Sequence, residues 1–230
     1  MQPGDSTAAL VNNIVADGAE HVVLLMRHSA REYEPGRHDL LNPLTDEGRD
    51  LAHALGEKLP KSHLVRGYTS PAERCVETAA LIMAAHKASG GEARRNRVVE
   101  GLGVFYVLDQ MKMFMAMQEA GGLVPFQRRW FAGEIAADIL MPAETAAGLL
   151  GRLIETKLAE MPDTPQLDIL VSHDFTLYLI KHLLLGQDAD RYPDVIYLDG
   201  IAFFQRDGRT WIQSHHEPAI ERQLPSIITT

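Results

Sequence analysis

The sequence predicts an α/β fold: a mostly parallel central sheet with helices on both faces, a three-layer α/β/α sandwich. Three observations lead there. Residues 21–26 form a short β-branched and leucine-rich run that suits a strand buried on both faces. Residues 64–69 and 167–172 read as further strands, the second of them clearly. Between and after these runs stand longer stretches with apolar residues at helical spacing, so strands alternate with helices.

The remaining elements follow in order. Residues 1–19 have no basic segment and no sustained apolar run, so they are read as an N-terminal extension and not as a signal peptide. A polar loop over 27–43 is punctuated by Pro35 and Gly36. Leu44-Thr45-Asp46-Glu47-Gly48 opens a helix with Thr45 as N-cap; Leu51, Leu55 and Leu59 share a face, and Pro60 ends it. Ser70-Pro71 starts the next, with Ser70 as cap and Pro71 at the first position. Val98-Val99 is expected to begin a third strand. Helices are expected over 111–120, 126–140, 143–160 and 175–185, the last ended by Gly186. Residues 201–205 and 210–213 read as a hairpin turning at Asp207-Gly208.

The chain of 230 residues, 46% hydrophobic and 23% charged, is ample for one core, and 1–230 is read as one domain. A net charge of -9 argues against a general nucleic-acid or anionic-membrane surface. It leaves room for a locally basic pocket and one small anionic substrate. The single cysteine, Cys75, permits no intramolecular disulfide, and no stretch is long enough to span a bilayer; a cytoplasmic location is expected.

In such folds sites lie beyond the C-terminal ends of the strands. Arg27, His28 and Arg31 follow the first strand, Ser70 and Arg74 the second, and His173 and Asp174 the later one. Each type suits phosphoryl transfer. Arginine offers a planar fork of donors that matches phosphate oxygens. A neutral imidazole can attack phosphorus and form a covalent intermediate, and neighbouring arginines keep it unprotonated. A second histidine can donate to the equatorial oxygens, and an aspartic acid can protonate the leaving alkoxide and then activate water.

Arg27-His28, the segment Ser70-Pro71-Ala72-Glu73-Arg74-Cys75-Val76-Glu77-Thr78-Ala79 and Val171-Ser172-His173-Asp174 together resemble the histidine phosphatase superfamily, which has a phosphoglycerate mutase-like fold. Leu44-Thr45-x-x-Gly48 is similar to the family's Leu-Thr-x-x-Gly helix start. The resemblance implies a metal-independent phosphatase without cofactor. His28 is the nucleophile, Arg27, Arg31, Arg74, His173 and Ser29 bind phosphate, and the helical insert of about 87–165 builds the pocket wall. It also implies a choice of proton donor: Asp174 directly after His173, as in the acid-phosphatase branch, or Glu100, as in the mutase-like branch. Asp174 and the spacing of Arg31 from His28 favour the first. Family members usually carry glycine where this chain has Ser29, which either strains the turn or adds a hydrogen bond to phosphate.

Blander roles compete at each position. Arg31 can pair with Glu32 or Glu34, Arg74 with Glu77, and Asp174 can cap a helix. Cys75 lacks an arginine six residues on and is read as a buried helix residue. His38 is a loop residue at the pocket mouth or in solvent. His215-His216-Glu217 is a poor metal site if its histidines alternate on a strand. Met111, Met113, Met115 and Met117 read as core in preference to pocket wall, and Arg128 and Arg129 as a solvated face. The resulting functions are a phosphomonoesterase acting on a small phosphorylated substrate or phosphoprotein, a phosphomutase, or a non-catalytic phospho-ligand-binding pseudophosphatase.

Overall fold

The computed structural model describes residues 2–34, 41–160, 163–192 and 195–224; His38, Pro35 and Gly36 lie outside them. Its centre is β1 (His21–Arg27), whose Val22 to Met26 are fully buried, with alternate side chains feeding two apolar clusters. Seven strands form one sheet in the order β3-β2-β4-β1-β5-β6-β7. β2 (Leu64–Thr69), β3 (Ala93–Val98) and β4 (Gln166–Ser172) run parallel with β1. β5 (Gly200–Arg206), β6 (Arg209–Ser214) and β7 (Ile220–Glu221) complete the sheet as an antiparallel meander.

One face is covered by α1 (Asp5–Ala16), α2 (Asp46–Lys58) and α3 (Glu73–Ala88). The opposite face carries α5 (Leu123–Phe131), α6 (Ala143–Leu158) and α7 (Asp174–Ile180). α4 (Gln110–Glu119) buries none of its residues and stands at the edge of this layer. The result is a three-layer α/β/α sandwich, its sheet parallel through the centre. The N-terminal residues read as an extension include α1, whose Leu10, Val11 and Ile14 pack into the first cluster.

Several boundaries differ from the sequence reading. Val98 ends β3 and does not begin it. The strand is the basic run Ala93–Val98, an exposed edge with no apolar pattern to betray it. Residues 126–140 are not one helix: the Gly133 and Glu134 N–H groups turn back onto the Trp130 and Arg129 carbonyls, and Leu140 then bridges to Val107. α7 runs into a π-helical turn over Lys181–Leu185. Ser70 does not cap α3, whose N-cap is Ala72. The hairpin turns at Asp207-Gly208, both with positive φ, as an Asp-Gly turn requires.

Candidate active site

The strand ends converge. His28 follows β1 and is 2% exposed, and its Nδ1–H donates to the Ser29 carbonyl at 2.8 Å. That bond sets the tautomer, leaving the Nε2 lone pair to accept from Arg74 Nε–H at 3.0 Å. Arg74, in the first turn of α3 and 2% exposed, also directs Nη2 to His173 Nδ1 at 3.3 Å. His173 Nε2 in turn meets Ser70 Oγ at 2.9 Å. The His28 and His173 rings stand edge to face, 5.6 Å apart. Burial, then the positive charge of Arg74, with His173 and Arg27 adding to it, holds His28 well below the usual imidazole range. The ring is therefore neutral at physiological pH.

Arg27 is fixed from behind by residues 195–199. Its Nη1 donates to the Val195 carbonyl at 2.6 Å, its backbone N–H to the Asp199 carbonyl at 2.9 Å, and Tyr197 stacks under the guanidinium at 4.2 Å. Nη2 pairs with Asp174 Oδ2 at 3.0 Å. Asp174 opens α7 without capping it, the N-cap being His173, and its Oδ1 accepts from the Phe175 N–H. Arg31, Arg74, His173 and Asp174 line one cavity of about 370 Å³. Glu100 sits exposed on a 3-10 turn (Glu100–Leu102) after β3 and does not line that cavity.

Ser29 does something the sequence did not suggest. It is fully buried, its hydroxyl donates to the Gly48 carbonyl at 2.6 Å, and its N–H donates to Thr78 Oγ1 at 3.1 Å. The expected phosphate contact is replaced by an internal one, and Ser29 is not among the positive-φ residues, so the turn is not strained there. The bond explains the Leu-Thr-x-x-Gly start. Thr45 caps α2 by accepting from the Gly48 N–H at 2.9 Å, and a Cβ on Gly48 would stand 2.0 Å from the Ala30 carbonyl oxygen. α2 thus clamps the turn that carries His28. Gly48→Ala is expected to cost about 3 kcal/mol or more, read from denaturant unfolding, because both colliding groups are backbone.

The other candidates separate. Glu77 pairs with Arg49 at 2.7 Å and leaves Arg74 to the site. Arg31 Nη1 donates to the Glu32 carbonyl at 3.1 Å. Cys75 is buried beside His173 and the Ser172 carbonyl. Arg128 and Arg129 pair with Asp190 and Glu134 on the surface. Met113 and Met117 line the cavity with Phe114 and Phe126 and pack half-buried against the second cluster, whereas Met111 and Met115 are exposed, so the run divides between pocket wall and surface. Tyr106 and Trp130 stack in the core instead. His215 and His216 lie in a turn after β6, not on a strand, and His215 Nδ1 engages Asp199 at 3.1 Å. Among the described residues no group of three or more His, Cys, Asp or Glu is placed to hold a metal ion. No helix among them is long and apolar enough to cross a membrane. Sequence reasoning missed Tyr197, for which no local motif exists.

A buried neutral imidazole, an arginine joining it to a second histidine, and a carboxylate at the rim are groups that can bind an anion and offer a nucleophile to it. The family model of the histidine phosphatase superfamily (branch 1) matches residues 23–201, and the chain belongs to that superfamily. No curated protein matches the chain. Among solved structures it is similar to a phosphoserine phosphatase mutant from Entamoeba histolytica in complex with phosphoserine (16% identity, TM-score 0.53, covering 84% of this chain and 95% of that one). It is also similar to a mycobacterial glucosyl-3-phosphoglycerate phosphatase (16%, 0.53, 90% and 99%). A protein described as mycobacterial hydrolase 1 has the same fold (15%, 0.55, 89% and 98%).

Proposed function

We propose that the chain is a metal-independent phosphomonoesterase working through a phosphohistidine on His28. The observation that carries this reading is the neutral His28 imidazole, its Nε2 lone pair facing the Arg74 guanidinium at 3.0 Å. A phosphoryl group drawn in by Arg74, Arg27 and Arg31 replaces that contact and presents phosphorus to Nε2. The N–P bond forms as the P–O bond to the leaving alcohol breaks; Asp174 supplies a proton to the departing oxygen. Asp174 then takes a proton from water, whose oxygen attacks phosphorus and releases inorganic phosphate and neutral His28. His173 and Arg74 hold the equatorial oxygens throughout. The Arg27 Nε donor is buried without a partner among the described residues, and a bound phosphoryl oxygen relieves that cost.

Asp174 is preferred to Glu100 as donor because it lines the cavity with Arg74 and His173, and Glu100 does not. Asp174→Asn is expected to slow hydrolysis of esters with poor leaving groups by about 10²–10⁴-fold and to slow p-nitrophenyl esters much less. Glu100→Gln is expected to change both little; the reverse pattern transfers the role to Glu100. The reading as a whole is tested by release of inorganic phosphate from phosphomonoesters in the presence of excess chelator. No release from a chemically diverse panel, together with tight phosphate binding, identifies a pseudophosphatase; preferential transfer to a second hydroxyl identifies a mutase.

A further inference from the structure

The cavity that borders the phosphoryl centre, meeting it at Arg74, His173 and Asp174, has two unlike halves. Its floor is Arg31, Arg74, His173 and Asp174. Its wall comes from the stretch between Val104 and Phe126, together with Phe175. There, among the described residues, Gln110 is the one polar side chain beside Met113, Phe114, Met117 and other apolar groups. Among the described residues no charged side chain lines the wall. The cations of α4 and α5, Lys112, Arg128 and Arg129, are paired with Asp138, Asp190 and Glu134. A sugar, a carboxylate or an ammonium group buried there would lose water without gaining a partner. A hydrocarbon chain or ring would gain by leaving water.

We infer that the substrate is the phosphomonoester of an apolar alcohol, aliphatic or aromatic, whose hydrocarbon part lies along α4 and α5. This rests on the phosphohistidine reading of the same site, because the apolar wall is continuous with the phosphate-binding floor. Met113 and Met117, one turn apart on α4, give that wall flexible thioether side chains that accommodate ring and chain alike. The cavity of about 370 Å³ takes a phosphate with one ring or a short chain. The half-exposed Phe114 at its rim leaves longer tails a way out over the surface.

The test measures binding of methyl-, butyl- and octylphosphonate by calorimetry, beside turnover of the matching alkyl phosphates, sugar phosphates and phosphoserine. Affinity is expected to rise severalfold per methylene, at most about fourfold, until the wall is covered. Met113→Gln keeps helix propensity and size, Phe114→Gln removes the ring while favouring the helix, and each is expected to shrink the octyl-to-methyl ratio severalfold. Equal affinities along the series, or preference for the polar esters, overturn the inference whatever the turnover. Dimerisation that buries Phe114 while octylphosphonate gains nothing over methylphosphonate overturns it too, by assigning the wall to a second copy. Rising affinity without any turnover upholds the apolar pocket and removes the catalytic reading alone.

Discussion

His28→Ala is expected to abolish phosphate release, by on the order of 10⁴-fold or more, while the protein still folds. The loss is large because the ring is the proposed site of the covalent bond, and no neighbour duplicates it: His173 is held by Ser70 and Arg74 in an edge-to-face position. Trapping with labelled substrate is expected to give an acid-labile, base-stable phosphoenzyme that the variant does not form. The pH profile carries independent information. Burial and Arg74 hold His28 well below its usual value, so the acid limb of kcat/KM due to this ring falls well under pH 6.5. The sign for stability is the opposite of a salt-bridged histidine. Below pH 6.5 the unfolded chain takes up a proton that the folded ring refuses, so stability declines with falling pH toward the folded value. His28→Ala removes that share of the decline. A variant retaining full activity in a preparation free of contaminating phosphatase refutes the mechanism.

Lys181→Met is expected to be the most destabilising change distant from the catalytic contacts. Lys181 is 1% exposed, and its Nζ lies 2.5 Å from Oδ2 of the fully buried Asp199, on the π-helical turn after α7. Burial pushes the Asp199 carboxyl up, but His215 and Lys181 outweigh it and keep it ionised. Removing the lysine leaves the buried carboxylate with His215 as its remaining side-chain partner, which costs about 3 kcal/mol. For a domain of this size that corresponds to a fall in Tm of roughly 10 °C. The double variant K181M/D199N is expected to recover part of it, since the under-compensated buried charge is then gone. Activity should fall with the single change beyond what unfolding explains. The Asp199 carbonyl accepts the Arg27 N–H, and the Leu198 N–H donates to the His28 carbonyl, so the segment also positions both residues. A single variant as stable and active as the parent would show that this buried pair supports neither.

Much of this was legible in the sequence, and for a physical reason. β1 and β4 are buried on both faces, which makes their apolar runs continuous, and the polar residues that terminate them are the ones the crevice gathers. That Arg27, His28, His173 and Asp174 lie together could therefore be read from their place after β1 and β4, and Arg74 joins them from the helix after β2. β3 could not, because an edge strand of arginines carries no burial pattern. Nor could the role of Ser29: its partner, the Gly48 carbonyl, is nineteen residues away and is brought close only by the packing of α2. Tyr197 escaped for the same reason, since its stacking on Arg27 is made by tertiary structure. The alternating methionines misled because the period of the sequence says nothing about how deeply a helix sits; on α4 Met113 and Met117 pack half-buried against the second cluster, and Met111 and Met115 face out.

That last feature bears on how such a chain diversifies. α4 contributes nothing buried to the core, yet Met113, Phe114 and Met117 face the cavity where the leaving group is proposed to sit. Half-buried at most, these residues are under a weaker packing constraint than those of β1 or α3, so substitutions there cost folding less. The chemistry and the choice of substrate are then inherited on separate terms: the first is locked to the sheet, and the second is free to drift along one exposed helix.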